Sequence, residues 1–215
     1  VRLYARELLD HEVSAGERQE ALTRAAGAWL GLADRANARL PLGGLGTVRG
    51  PATRWPLPEA FVDELLVDAR SWFDAECTAL TEVIAHVAAA DLDDLAWELA
   101  ESCVNYLQFR SRFEAVVPTH QPALEACVRA GNTMGQAVML RNLADYSGYV
   151  PGGRPAALRN ARRSRELFRD LGYAYGEAGA AVLEGDLLQQ DGNPAAAREL
   201  LGEAISVAGR AGNPW

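Results

Sequence analysis

From residue 58 onward, apolar residues recur at three- and four-residue steps, and short clusters of Gly, Asp, Asn or Pro break the pattern. That spacing puts the apolar positions on one stripe of a helix, and the breaks are of the kind that end helices. It predicts helices near 58–68, 70–89, 92–109, 113–130, 133–148, 155–171, 174–190 and 194–211. Alternating strand patterns are almost absent, so the expected class is all-α. Upstream, Ser14-Ala-Gly-Glu17 has the form of a capping box. In such a box a hydroxyl and a carboxylate satisfy the free N–H groups at a helix start. Leu22, Ala25, Ala26, Trp29, Ala33, Ala36 and Leu40 then continue one apolar stripe along a long helix.

That helix stops at PLGGLGTVRGPATRWPLP, residues 41–58, whose four glycines and four prolines read as irregular connection. Gly43, Gly44 and Gly46 invite a phosphate-loop reading, but they miss the dinucleotide spacing and lack a preceding strand. The stretch is read as a linker over 41–57, between a helical connector over 1–40 and helical repeats over 58–215. The tetrapeptide RAGN occurs at Arg129–Asn132 and at Arg210–Asn213, with a looser echo, RDLGY, at Arg169–Tyr173. Gly131 to Gly172 is 41 residues and Gly172 to Gly212 is 40. Each glycine falls where the second helix of a pair should end, in the left-handed cap position. Two helices per period of about 40 residues is the signature of an α-solenoid.

Composition sharpens this picture mainly by exclusion. With 49% hydrophobic and 23% charged residues, the 215-residue chain is ordinary globular material. The net charge of −8 lacks the basic footprint of a nucleic-acid binder. All 21 basic residues are arginine, which removes every lysine-dependent mechanism. Cys77, Cys103 and Cys127 are far apart in apolar stretches and read as reduced, buried thiols of a cytoplasmic protein. No apolar run of about 18 residues is present, so no membrane span is expected. His11, His86 and His120 are scattered, none with a second His or Cys one helical turn away. Asp91, Asp93 and Asp94 sit at a helix start, where carboxylates complement the dipole. Hence no catalytic residue, metal site or cofactor is expected, and the chain is read as non-enzymatic. Its start lacks an initiator Met and falls inside a helical pattern, as in a piece of a longer polypeptide.

AVLEGDLLQQDGNPAAARELLGEAISV, Ala181–Val207, strongly resembles a tetratricopeptide repeat. Gly185 stands at the small site of its first helix, Leu188 is the large residue that follows, and Gly192 makes the turn. Ala197, Leu201 and Ala204 form the small–large–small series of the second helix. Helices crossing at close range leave no room beyond Cβ at the crossing point. The preceding unit carries Asn142, Leu143, Ala144, Gly152 and Ala157 in the same roles, with Ala161 where a larger residue is usual. Its second helix also bears Arg159, Arg162, Arg163 and Arg165, read either as a solvated convex face or as a contact for an acidic partner. One unit earlier, Val116 takes the small site.

The stretch Trp72–Ala100 looks more specific. Trp72, Glu76 and Leu80 lead through a helix to Ala96-Trp97-x-Leu99-Ala100, and VRLYARELL resembles the exit from a winged-helix portion of a nucleotide-binding module. Together they resemble the C-terminal tetratricopeptide part of an AfsR-like regulator of the SARP type, a STAND-class NTPase coupled to DNA binding. The resemblance implies a sensor and scaffold arm, with ATP hydrolysis and DNA contact belonging to modules absent from this sequence. The regulator's own NTPase module or another protein is then the partner, and the intact regulator oligomerises. It also implies a concave wall formed by the first helix of each pair. Carrying positions over, that wall holds Glu98, Glu101, Asn105, Gln108, Arg141, Asp145, Tyr149, Asp186 and Gln189. Such a wall is either solvated surface or a groove for a basic or amide-rich extended segment. The second reading makes the chain an intracellular receptor for a signalling peptide. Trp29, Trp72 and Trp97 lie on apolar stripes and read as core.

Overall fold

The computed structural model describes residues 13–41, 47–148 and 150–210. The opening VRLYARELL, the cluster Gly43, Gly44 and Gly46, Tyr149, and Gly212 with Asn213 lie outside the described residues. Within them the chain is all-helical, without strands. It forms α1 (Ala15–Ala38), α2 (Glu59–Leu65), α3 (Ala69–Ala89), α4 (Asp93–Phe109), α5 (Val116–Ala130), α6 (Thr133–Ser147), α7 (Arg154–Asp170), α8 (Ala174–Gln190) and α9 (Pro194–Arg210). A single 3-10 turn, Phe113–Ala115, leads into α5.

Side chains cap the starts of α1, α3 and α6. At α1 the capping box is complete: Ser14 Oγ accepts from the Glu17 N–H, and the Glu17 carboxylate accepts from the Ser14 N–H at 2.9 Å. Asp68 caps α3 by accepting from the N–H groups of Arg70 and Ser71, and Asn132 caps α6 by accepting from that of Gly135. The helix expected over 58–68 is shorter than its pattern: after Leu65 the chain turns, and Asp68 restarts it as α3.

The turns carry the period. Backbone φ is positive at Asp91, Ser111, Gly131, Gly152, Gly172 and Gly192, and these positions follow one another at 20 or 21 residues. Gly131 and Gly172, the marks visible in sequence, are therefore part of a longer series. Two of its members, Asp91 and Ser111, carry side chains in a conformation that usually belongs to glycine.

Successive helices from α3 to α9 pack side by side, and α3 also touches α5, α4 touches α6, and α6 touches α8. Small residues allow the close crossings. Ala144, Ala157 and Ala161 have no exposed surface, and Ala197 is buried as well. A Cβ placed on Gly185 would stand 3.1 Å from Leu201 Cγ, so glycine lets the two helices meet there without displacing that side chain.

One continuous core runs from Ala26 in α1 through Trp72, Trp97 and Tyr106 to Phe168 in α7. α1 packs against α3 and α4, so the N-terminal helix belongs to the same body as the repeats. An aromatic series ties it in: the Trp29 and Trp72 ring centroids are 6.0 Å apart, Trp72 and Phe73 5.0 Å, and Phe73 and Tyr106 4.8 Å. Trp97 is completely buried, and Trp72 is nearly so. No helix among the described residues is long and apolar enough to cross a membrane.

Candidate functional site

The site begins with a segment expected to be a plain connection. Residues 47–57 have neither helix nor strand structure, yet they do not hang free: Val48 and Ala52 are buried. This strap lies in the groove between α1 and α4, held largely by its own main chain. The Val48 N–H donates to Glu101 Oε1 at 2.9 Å, the Gly50 N–H to Glu98 Oε2 at 2.9 Å, and the Ala52 N–H to Glu98 Oε1 at 2.7 Å. In an extended chain alternate residues point the same way, so three N–H groups at every second position reach one helix face. The linker expectation is thus corrected for residues 47–57: an extended run has no hydrophobic period to announce its burial, and its partners are main-chain groups.

Side chains complete the attachment. Arg54 places its guanidinium 2.6 Å from Glu98 Oε2 and 2.9 Å from Asp34 Oδ2, and it donates to the Ala52 carbonyl at 2.7 Å. Asp34 and Glu98 together raise the pKa of Arg54 further, against the opposing effect of burial. Arg49 reaches the same Asp34 oxygen at 2.8 Å, while Ser102 donates to the other Asp34 oxygen at 2.7 Å. Two close approaches fix the seat. A Cβ on Gly50 would stand 2.1 Å from Trp97 Cζ2, and one on Gly27 would stand 2.6 Å from the Thr53 carbonyl oxygen. The Trp55 N–H then donates to the Gly27 carbonyl at 3.1 Å.

The nine residues of the expected concave wall separate into two sets. Glu98, Glu101, Asn105 and Arg141 come together, and all four are buried, covered in part by the strap. Gln108, Asp186 and Gln189 are exposed, Asp145 is half-buried, and Tyr149 lies outside the described residues. Arg141, expected as a ligand-binding side chain, is instead about as buried as Trp97. It donates to Glu101 Oε1 at 2.9 Å and to Asn142 Oδ1 at 3.1 Å. Asn142 completes the arrangement by donating to Glu101 Oε2 at 2.6 Å. Glu101 therefore joins α4, α6 and the strap in one buried polar node. Burial holds the Asp145 carboxyl above its usual range, opposed by Arg141 and reinforced by Asp186.

Several contributors escaped the sequence reading. Asp34 and Gly27 of α1 form the far side of the groove and Arg54 of the strap reaches across it, and nothing in their local pattern sets them apart. His120 is completely buried beside the node; its Nδ1 lies 2.8 Å from Thr119 Oγ1, and its Nε2 has no hydrogen-bond partner among the described residues. Burial lowers its pKa to about 4, with the Glu101 charge acting in the opposite direction. Where the strap begins, a cavity of about 360 Å³ is lined by Asn37, Thr47 and Asn105 among others. Among the described residues the Asn37 and Asn105 side-chain oxygens are both buried without a donor.

Elsewhere polar groups serve the packing. Arg162 and Arg165, two of the four arginines clustered on α7, bind the buried Glu184 of α8 at 3.0 and 2.7 Å. Arg163 pairs with Glu166 on its own helix. Cys77, Cys103 and Cys127 are free and buried, and burial pushes all three thiols up, Cys127 to about 12. His86 is exposed. Among the described residues no group of three or more His, Cys, Asp or Glu is placed to hold a metal ion.

What the arrangement can do is hold polypeptide. Its carboxylates are aimed at main-chain N–H groups and a guanidinium. No protein-family model, no curated protein and no solved structure matches the chain.

Proposed function

We propose that this chain is a non-enzymatic sensor and scaffold arm, a tetratricopeptide-like stack of helix pairs, of an AfsR/SARP-like STAND regulator. Its work is to make intramolecular or protein–protein contacts that control NTPase and DNA-binding modules carried elsewhere in the regulator. The observation that carries this reading is the seating of residues 47–57. Glu98 and Glu101 bind the N–H groups of Val48, Gly50 and Ala52, so the polar wall of the helical stack takes hold of extended chain. A surface with that property suits a switch, which requires only two arrangements with different contacts. The period of 20 or 21 residues between turns and the crossings at Gly185 and Ala197 support the tetratricopeptide reading. The test compares ATPase activity and oligomeric state of the full regulator with and without residues 58–215. Unchanged activity and assembly would remove the regulatory role.

A second reading, an intracellular receptor for a signalling peptide, is favoured by the same main-chain recognition. It differs in requiring that the ligand come from outside the regulator. Turnover of a substrate by the isolated chain would count against both.

A further inference from the structure

The contacts of the strap amount to a recognition code, and every element of it can be read from the geometry. Glu98 is buried to 1% exposure, and among the described residues each donor that reaches it belongs to the strap: Gly50 N–H, Ala52 N–H and the Arg54 guanidinium. Glu101 differs, because Arg141 and Asn142 bind it from within the helical stack. A buried carboxylate without donors is costly, so the Glu98 position demands an extended segment supplying the same three groups. The first position must be glycine, since any Cβ there would overlap the Trp97 ring. The third must be small, because Ala52 is buried at 9% exposure, and the fifth must be arginine to span Glu98 and Asp34.

Apolar anchoring, by contrast, is slight. Val48 and Ala52 are the strap's buried side chains, and Trp55 keeps 45% of its surface exposed. The occupant is thus bound through hydrogen bonds and ion pairs that another polypeptide can reproduce atom for atom.

We propose that the α1–α4 groove is a binding site for an extended Gly-x-small-x-Arg segment of a partner protein, filled in cis by Gly50–Arg54 and open to the same motif in trans. This rests on reading the polar wall as a binding surface and names its ligand. The cis segment sets the threshold for entry: being tethered, it acts at an effective concentration on the order of millimolar. A partner therefore enters when the strap is loosened or when it is itself tethered nearby.

The experiment uses the full chain and a fluorescein-labelled peptide, TVRGPATRWPLP, copied from Thr47–Pro58. In the Gly50→Ala protein the added Cβ expels the resident strap while every groove residue stays in place. Fluorescence anisotropy is expected to show the peptide binding this protein at least about tenfold more tightly than the unaltered chain, whose groove is filled. Peptides with Ala at the Gly50 or the Arg54 position should lose that binding, and Glu98→Gln added to the Gly50→Ala protein should weaken it about tenfold. An Arg54→Ala protein, which loosens the strap without steric conflict, should accept the unaltered peptide as well. The proposal is overturned if neither helical variant takes up the peptide, or if uptake ignores the peptide's Gly and Arg. It is equally overturned if both variants unfold, which makes the strap a fixed structural part. None of these outcomes alters the ATPase comparison, so the two ideas fail separately.

Discussion

Arg141→Ala removes a cation that has no exposure to spare. The guanidinium side chain is 2% exposed and the Glu101 carboxylate facing it 3%, at 2.9 Å. After the change Glu101 keeps its bonds from the Val48 N–H and the Asn142 amide, but its charge has lost the cation bound to it. Breaking a buried pair from one side typically costs ~3–5 kcal/mol, most of it the penalty of the carboxylate left behind. For a chain of this size that corresponds to a fall in Tm of ~10 °C. Urea denaturation followed by circular dichroism measures the loss directly, and a Glu101→Gln partner substitution separates its causes. In the double variant the amide oxygen still accepts from Val48 while the stranded charge is gone, so more than half the lost stability should return. A single variant within about 1 kcal/mol of the parent would refute the buried node, as would a double variant no better than the single.

Three further outcomes follow from the geometry. His120 has a folded pKa of about 4 against about 6.5 unfolded, so the unfolded chain binds the proton first and stability falls as pH drops from 6.5 toward 4. Between pH 6.5 and 5 the loss is roughly 2 kcal/mol, and a His120→Phe variant should flatten that slope in urea midpoints measured at the two values; parallel pH curves would exclude His120 as its source. Gly135→Ala places a Cβ 2.4 Å from Cys127 Sγ and 2.7 Å from Trp97 Cδ1. Overpacking there should cost ~1–3 kcal/mol in thermal or urea unfolding, and an unchanged midpoint would show that the α4–α6 crossing is looser than described. The three thiols, buried and pushed up in pKa, should react with Ellman's reagent at pH 8 only as fast as the chain opens, and at once in urea; prompt reaction of a thiol in the folded protein would contradict its burial.

Helix positions were largely legible in the sequence because they depend on short-range pattern. The helices over Ala174–Gln190 and Pro194–Arg210 lie within a residue of their apolar stripes, and the Ser14–Glu17 box starts α1 where its side chains demanded. The period showed only where glycine marked it. Asp91 and Ser111 take the same left-handed conformation under ordinary side chains, so the breaks there showed as helix ends but not as members of the glycine series. The groove was half legible. Glu98, Glu101, Asn105 and Arg141, put on one open wall by the tetratricopeptide resemblance, lie near one another but are buried. What could not be read was their covering, because the strap binds through N–H groups that every residue except proline carries. Arg54 and Asp34 are 20 residues apart and meet only because the chain doubles back along α1, a relation that no local window contains.

The even spacing of the left-handed turns restricts how this chain can change in length. Each turn from Asp91 to Gly192 reverses the path after 20 or 21 residues, so a single residue gained or lost inside a helix turns everything beyond it by about 100°. Deleting a whole double period, by joining Gly131 directly to Tyr173, instead sets one reversal in place of an equivalent one. The cut has one local consequence: α1 and α4, the walls that hold Glu98, lie upstream of it, but Arg141 and Asn142 go with the deleted block and leave the Glu101 carboxylate without its α6 partners.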